Sequence, residues 1–306
     1  MQIFALIGAS GSGKSALGLE LASRYDGEIF SLDSLSIYRH IDIASAKPSQ
    51  EERARITHYG IDELEPNEPC NAMTFWRSLE SALTQARAKG KKTFFIVGGS
   101  SFYLKSMIDG LSPMPQLSQE ALQAIQNRVH NIQNPYEFLC HIDTPYANTL
   151  KSTDTYRIHK ALEIYFATHT APSVYFATHP KQRLESLHNM PILVLDVPRE
   201  VLRERIVART DTMLARGLLD EVRFLRDTYP PNSQSLKAIG IKESLEFLAT
   251  GSKDTTTLCE LISIHTAQLA KRQSTFNRTQ FRNALVLDSH QIRTYIASQI
   301  NSPNEH

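Results

Sequence analysis

Eight consecutive residues near the start of the chain, Gly8-Ala9-Ser10-Gly11-Ser12-Gly13-Lys14-Ser15, spell G-x-x-x-x-G-K-S. The glycines let successive backbone N–H groups turn inward around an anion, and a following helix adds its positive N-terminal field. Lys14 then neutralises terminal phosphate oxygens, and the Ser15 hydroxyl is offered to Mg²⁺. A diphosphate or triphosphate is expected on Gly8, Ala9, Ser10, Gly11, Ser12, Gly13, Lys14 and Ser15, with a nucleotide such as ATP the common occupant of such loops. The loop leaves the reaction open. Phosphoryl transfer usually adds a second acid at the end of a neighbouring strand. Here one strand ends instead in Val97-Gly98-Gly99-Ser100-Ser101. Only Asp196, closing Ile192-Leu193-Val194-Leu195, has that look, and a helix-cap role is the simpler expectation for it.

A second cluster follows in Ser31-Leu32-Asp33-Ser34-Leu35-Ser36-Ile37-Tyr38-Arg39. In a parallel sheet the carboxyl end of this strand is expected beside the phosphate loop. Asp33 would then accept a proton from a nucleophile bound near the phosphates, although an Asp-Ser turn would use the same residue. Lys47, in Ala44-Ser45-Ala46-Lys47-Pro48, is expected to bring a second cation to that rim. Farther along, no acidic residue occurs from Leu261 to Leu287, while Lys271, Arg272, Arg278 and Arg282 do, with His265 and Phe276 among them. Such a stripe suits nucleic-acid phosphates, or serves as a solvated helix face. Arg157, His159 and Lys160 form a smaller basic edge.

These residues need elements to hold them. Short apolar runs at Gln2–Ile7, Glu28–Leu32 and Thr93–Val97 alternate with helical spacing at Ser15–Tyr25 and Met73–Ala88, which predicts a mostly parallel sheet with helices on both faces. From about Leu111 to His188 the pattern is helical, at Gln119–Asn131, Tyr136–Cys140 and Asp154–Thr168, punctuated by prolines. The α/β pattern resumes with a strand at Ile192–Asp196, helices at Glu200–Thr228, Leu236–Ala249 and Thr255–Arg278, and a last strand at Ala284–Asp288. The tail after Asn301 is expected to fray. The reading is therefore an α/β phosphate-loop domain, 1–110 with 189–306, interrupted by a helical insertion, 111–188.

Composition narrows the class. The 306 residues are 41% hydrophobic and 21% charged, which argues against disorder. With 33 Lys plus Arg against 32 Asp plus Glu, net charge is +1, so whole-molecule charge is not the basis of nucleic-acid binding, though a local basic face would be. No apolar run approaches the roughly 20 residues of a membrane span. No basic leader precedes the phosphate loop, so a cytoplasmic location is expected, with no membrane partner. Cys70, Cys140 and Cys259 are scattered and suggest no zinc site.

Taken in order, the motifs resemble one family. Gly8–Ser15, then Asp33-Ser34-x-x-x-Tyr38-Arg39, Ala46-Lys47-Pro48 and Val97-Gly98-Gly99-Ser100-x-x-Tyr103-Leu104 are similar to the bacterial tRNA dimethylallyltransferases, also called tRNA isopentenyltransferases. Asp154 to Glu163, Arg205 to Val222, Ala238-Ile239-Gly240-Ile241-Lys242-Glu243 and Gln268 to Phe276 continue the match in family order. There are departures. The family usually has Gln at Ser36, where it contacts the target base, Thr-Gly at Ser100-Ser101, Gln at Tyr156, Tyr at Ile241, Arg at Ala267 and Trp at Phe276. Ser100 keeps the hydroxyl; Ser36 is too short to reach a base edge as the glutamine does.

The resemblance implies transfer of a dimethylallyl group from dimethylallyl diphosphate to N6 of the adenine 3′ of the anticodon, in tRNAs reading codons that begin with U. It implies Asp33 as general base, with Ser100 and Arg209 stabilising the leaving oxygen, and Mg²⁺ on Ser15. It implies tRNA anticodon-arm contacts from Asp33, Ser34, Leu35 and Ser36, from Tyr156, Arg157, Ile158, His159 and Lys160, and from Lys271, Arg272 and Arg278. A monomer is expected. Three other readings compete: a phosphate-loop kinase, the same prenyl transfer to free AMP or ADP, and a non-catalytic RNA-binding module. A kinase leaves Asp33-Ser34, Val97–Ser101 and the basic stripe unexplained. A free-nucleotide enzyme would not need the insertion, and a binding module would not need Asp33 beside an intact loop.

Overall fold

The computed structural model describes residues 1–301, so the tail expected to fray lies outside the described residues. Chain order is β1 (Gln2–Gly8), α1 (Lys14–Arg24), β2 (Gly27–Leu32), α2 (Gln50–Arg55), β3 (His58–Tyr59), α3 (Ala72–Ala88), β4 (Thr93–Gly98), α4 (Ser101–Asp109), α5 (Gln119–His130), α6 (Pro135–Ile142), α7 (Thr144–Ala147), α8 (Thr155–Thr168), α9 (Pro172–Thr178), β5 (Ile192–Leu195), α10 (Arg199–Ala215), α11 (Leu218–Thr228), α12 (Ile241–Thr250), α13 (Thr255–Gln280), β6 (Leu285–Leu287) and α14 (Ser289–Asn301). The chain forms two compact units, Met1–Ile108 together with the segment from Leu184 onward, and Asp109–Arg183.

The first unit is the α/β architecture the sequence predicts. Its six strands run parallel in the order β3-β2-β4-β1-β5-β6. Strands covered on both faces read as continuous apolar runs, which is why Phe-Ala-Leu-Ile in β1 and Phe-Phe-Ile-Val in β4 show no polar alternation. Phe4, Leu6, Ile29, Phe95 and Val97 pack against Leu17 and Leu21 of α1 and Ile292 and Ile296 of α14. Phe30, of opposite parity, meets Phe75 of α3 edge-on, so helices cover both faces. Each such buried side chain contributes about 1.5–3 kcal/mol, and Leu21 is 1% exposed.

The order corrects one expectation. The carboxyl end of β2 is not adjacent to that of β1, because β4 lies between them. The last paired residue of β4, Gly98 opposite Leu32 and Ile7, feeds directly into Gly99 and Ser100. A Cβ on Gly98 would come within 2.0 Å of the Leu32 carbonyl oxygen, so only glycine lets β4 pass here.

Two long helices expected from periodicity are broken by glycine. The helix expected over Glu200–Thr228 divides into α10 and α11 at Gly217, at φ 96°. The one expected over Leu236–Ala249 begins only at Ile241, after a 3₁₀ turn at Ser235–Lys237 and Gly240 at φ 93°. Left-handed backbone ends a helix, and glycine reaches it without a Cβ clash.

The second unit is helical. Its core joins Val129 of α5, Leu139 of α6, Ala147 of α7 and Ile158, Ala161, Leu162 and Phe166 of α8. Its two ends are tied by reciprocal hydrogen bonds between Leu111 and Gln182, at 3.0 and 2.9 Å.

Candidate active site

The phosphate loop connects β1 to α1. Gly11 and Gly13 adopt φ of 81° and 90°, and Gly13 caps α1 without a side-chain acceptor. The first N–H groups of that helix therefore remain available to an anion. Two bonds from remote residues and one within the loop hold it. The Ser10 N–H donates to Gln273 Oε1 at 2.8 Å, Arg205 Nη1 donates to the Ser12 carbonyl at 3.0 Å, and Lys14 Nζ donates to the Ala9 carbonyl at 3.2 Å. Burial draws the Lys14 ammonium down to about 8; Asp33 opposes that shift and Arg209 adds to it. Ser15 is exposed at the first turn of α1.

Asp33 follows β2. Its Oδ1 accepts the N–H groups of Leu35 at 2.9 Å and Ser36 at 3.3 Å, so it makes the Asp-Ser turn and still lines the cleft. Ser100 joins this turn to β4: its N–H donates to the Leu32 carbonyl, and its Oγ accepts the Ser34 N–H, both at 3.1 Å. From α10, Arg209 faces the same space. Loss of hydration lowers its guanidinium from the ordinary value, and the carboxylate of Asp33 pulls it back up.

These groups border one cleft of about 540 Å³. Its polar rim holds Ser10, Asp33, Ser100, Arg209, Arg272 and Lys237. Its apolar wall holds Ile206, Met213, Ile239, Ile262, Leu269 and Phe276. A fixed anion cradle, a carboxylate and an apolar wall together suit a substrate with a charged head, a short hydrocarbon tail and a nucleophile that must lose a proton. Among the described residues no group of three or more His, Cys, Asp or Glu could cage a metal. A divalent ion at Ser15 would share its coordination with substrate phosphates and water, as Mg²⁺ commonly does.

Placement differs among the remaining residues named from the sequence. Ser34 and Leu35 line the cleft, whereas Ser36 is buried at 4% exposure and does not. Lys47 is not a cation of the rim, which corrects the expectation. It is buried, donating to Asp42 Oδ1 at 2.7 Å, Asp62 Oδ1 at 2.6 Å and the Tyr38 carbonyl at 2.6 Å. Two carboxylates consume its charge, so it fastens a loop. Asp196 is exposed and does not cap α10, whose N-cap is Pro198; its N–H donates to the Leu287 carbonyl. On α13, Lys271 and Arg278 are exposed seven residues apart and so share a face, while Arg272 turns to the cleft. His265 is engaged by the buried Glu243, Nδ1 to Oε1 at 2.5 Å.

In the helical unit, Tyr156 is 63% exposed and Arg157 is exposed, pairing with Asp154 at 3.5 Å. Ile158 belongs to the core of that unit. His159 lines a polar pocket with Gln126, Asn127, His130 and Glu163, and Lys160 pairs with Glu163 at 2.6 Å.

Three supporting residues carried no signal of their own in the motif reading. Glu221 accepts the N–H groups of Asp42, Ile43 and Ala44 at 2.8, 2.7 and 2.9 Å, holding the loop whose Ala44 and Ser45 line the cleft. Arg205 stands one helical turn before Arg209, a spacing that places both on one face of α10. Gln273 sits inside the basic stripe.

Known proteins match the chain over most of its length. The sequence model of the family described as IPP transferase matches residues 36–280. A tRNA dimethylallyltransferase of Helicobacter pylori is 48% identical over 304 residues, covering 98% of this chain and 95% of the relative. One from Wolinella succinogenes is 46% identical, covering 94% and 95%. Among solved structures, the full-length tRNA isopentenylpyrophosphate transferase of Bacillus halodurans superposes with a TM-score of 0.68 at 26% identity, covering 98% of this chain and 96% of that one. A eukaryotic dimethylallyltransferase acting on tRNA gives 0.78 at 25% identity, covering 98% and 77%.

Proposed function

The chain belongs to the IPP transferase family, and on that premise we propose that it moves a dimethylallyl group from dimethylallyl diphosphate to N6 of the adenine 3′ of the anticodon, in tRNAs reading codons that begin with U. The observation that carries this reading is the meeting of the phosphate loop with Asp33, Ser100 and Arg209 in one cleft.

The diphosphate lies on the backbone N–H groups of Gly8–Ser15, with Lys14 leaving the Ala9 carbonyl to meet it. The allylic C–O bond breaks as the C–N6 bond forms, and diphosphate departs with the electron pair. Arg209 and the Ser100 hydroxyl stabilise the negative charge that develops on the leaving oxygen. Asp33 takes the proton that N6 must lose. The apolar wall of Ile206, Met213 and Leu269 receives the hydrocarbon tail. Mg²⁺ on Ser15 and the diphosphate would supply charge neutralisation. The adenine must leave its stack to reach such a cleft. RNA backbone contacts come from Lys271, Arg272 and Arg278, and from Tyr156, Arg157, His159 and Lys160 of the helical unit. One chain supplies every group named, so a monomer suffices. Among the described residues no helix is long and apolar enough to cross a membrane.

The test is incubation with labelled dimethylallyl diphosphate, Mg²⁺ and unmodified tRNA. Label in the RNA is expected. ATP hydrolysis with unlabelled RNA would replace this reading by a kinase, and faster labelling of AMP than of tRNA would replace the acceptor.

A further inference from the structure

Gln273 lies between cations. Lys271, Arg272 and Arg278 of the same helix are exposed, and the stripe as a whole reads as an RNA contact. The side chain of Gln273 is spent elsewhere. Its Oε1 accepts the Ser10 N–H at 2.8 Å, and its Nε2 donates to the Gly99 carbonyl at 3.0 Å. One amide thus bridges two turns that the sequence places 263 and 174 residues away.

Those turns carry opposite halves of the chemistry. Ser10 belongs to the loop that holds the diphosphate. Gly99 precedes Ser100, whose Oγ accepts the Ser34 N–H beside Asp33. We propose that Gln273 is a positioning residue that fixes the leaving-group loop against the Ser100–Asp33 turn, a role resting on the transferase reading above. Donor and acceptor are both required, because one turn offers an N–H and the other a carbonyl. Glutamine supplies the two at the ends of one planar group. Gly99 fits the same account: a Cβ there would stand 2.5 Å from Gln273 Nε2 and displace it, and its backbone is not in the left-handed region. Glycine at 99 is explained by the bridge rather than by conformational need.

A bridge of this kind acts on geometry. Reacting atoms must approach within about 3–3.5 Å in line, and a displacement near 1 Å costs about a hundredfold in rate. An RNA-contact residue would instead affect acceptor affinity.

The experiment compares wild type with Gln273→Met, which keeps length and removes both bonds, and with Gly99→Ala, which pushes the amide away without touching it chemically. Rates with tRNA and dimethylallyl diphosphate are measured, with melting temperature and with pyrophosphate affinity of the tRNA-free chain. The expected result for Gln273→Met is a kcat lowered about 10- to 100-fold, a raised KM for dimethylallyl diphosphate, weaker pyrophosphate binding and an unchanged KM for tRNA. Gly99→Ala should reproduce this pattern, and the double variant should be no worse than the worse single, since both break one pair. Should Gln273→Met fold poorly, Gly99→Ala carries the same test. A raised KM for tRNA with diphosphate kinetics intact, or full activity in both variants, would overturn the proposal. If wild type labels no RNA, the transferase reading fails, while pyrophosphate affinity still tells whether the bridge holds the loop.

Discussion

The cleft of the α/β unit and the polar pocket of the helical unit are assembled differently. In the cleft, Ser10 is held by Gln273, Ser12 by Arg205 and Ser34 by Ser100, each a bond to a residue remote in sequence. In the helical unit, the pocket groups come from two consecutive stretches, 126–130 and 159–163, and the charged residues are paired locally, Arg157 with Asp154 and Lys160 with Glu163. Remote bonds fix position to a fraction of an ångström once the core is formed. The solvent-facing Arg157–Asp154 pair is worth about 0.2–0.5 kcal/mol and exchanges readily, while Lys160 reaches over a carboxylate that is itself buried. The first arrangement suits bond making and the second suits gripping a charged polymer.

The sharpest way to break this comparison is to remove one side of it. Replacing 109–183 by a short linker should abolish transfer to tRNA while pyrophosphate binding persists. The Leu111–Gln182 bonds show that the ends of this unit lie close enough for a linker to join them. Retained transfer to whole tRNA would mean that the helical unit is not the RNA grip.

The next largest effect lies in the cleft. Asp33→Asn keeps an oxygen to accept the Leu35 and Ser36 N–H groups, so the turn should survive, but the amide takes no proton. A general base contributes about 10²–10⁴-fold, and kcat should fall by that much with tRNA affinity kept. A loss below about tenfold would demote Asp33 to orienting the acceptor.

The same contrast explains what was legible in the sequence. The phosphate loop shows because Gly11 and Gly13 must adopt left-handed backbone, a need that leaves its mark in residue type. Strand runs of β1 and β4 show because burial on both faces favours an unbroken apolar stretch, Phe-Ala-Leu-Ile and Phe-Phe-Ile-Val. Lys47 misled because a lysine beside an active-site motif is the same letter whether it faces phosphate or is closed between Asp42 and Asp62. The adjacency of β2 and β1 misled because strand order is a long-range property, and β4, inserted between them, is encoded some 60 residues later. Gln273 was hidden for a related reason: its partners are a backbone N–H and a carbonyl, which no residue type advertises.

A smaller effect should appear on titrating the loop. Burial lowers Lys14 from 10.5 to about 8, so the free enzyme carries a charged ammonium below that pH and loses it above. A bound diphosphate favours the protonated form. The KM for dimethylallyl diphosphate should therefore stay level below pH 8 and rise above it, by at most tenfold per pH unit, and Lys14→Ala should show a raised, flat profile. Between about 8 and 10.5 the unfolded chain holds this proton more tightly than the native one, so stability relative to a Lys14→Met variant should increase with pH across that window. A pH-independent KM in wild type would remove Lys14 from the diphosphate.

The smallest effect separates the two basic surfaces. Each lysine or arginine laid on a phosphate releases condensed counterions and adds about 0.7–0.9 to the slope of log affinity against log salt. Lys271 and Arg278 are exposed on one face of α13, and among the described residues neither pairs with an acid, so each alanine variant should flatten the tRNA slope by that amount and leave dimethylallyl diphosphate binding alone. Arg272 borders the cleft, so its variant should disturb both. Arg157 and Lys160 begin from ion pairs with Asp154 and Glu163. Part of what RNA gains from them is lost in breaking those pairs, and their variants should weaken binding with a smaller change of slope. Affinities measured at four or five salt concentrations decide the matter. Equal slope changes from α8 and α13 would mean that the local pairs do not compete with RNA, and an unaltered slope in the Lys271→Ala, Arg278→Ala double variant would take α13 off the RNA backbone.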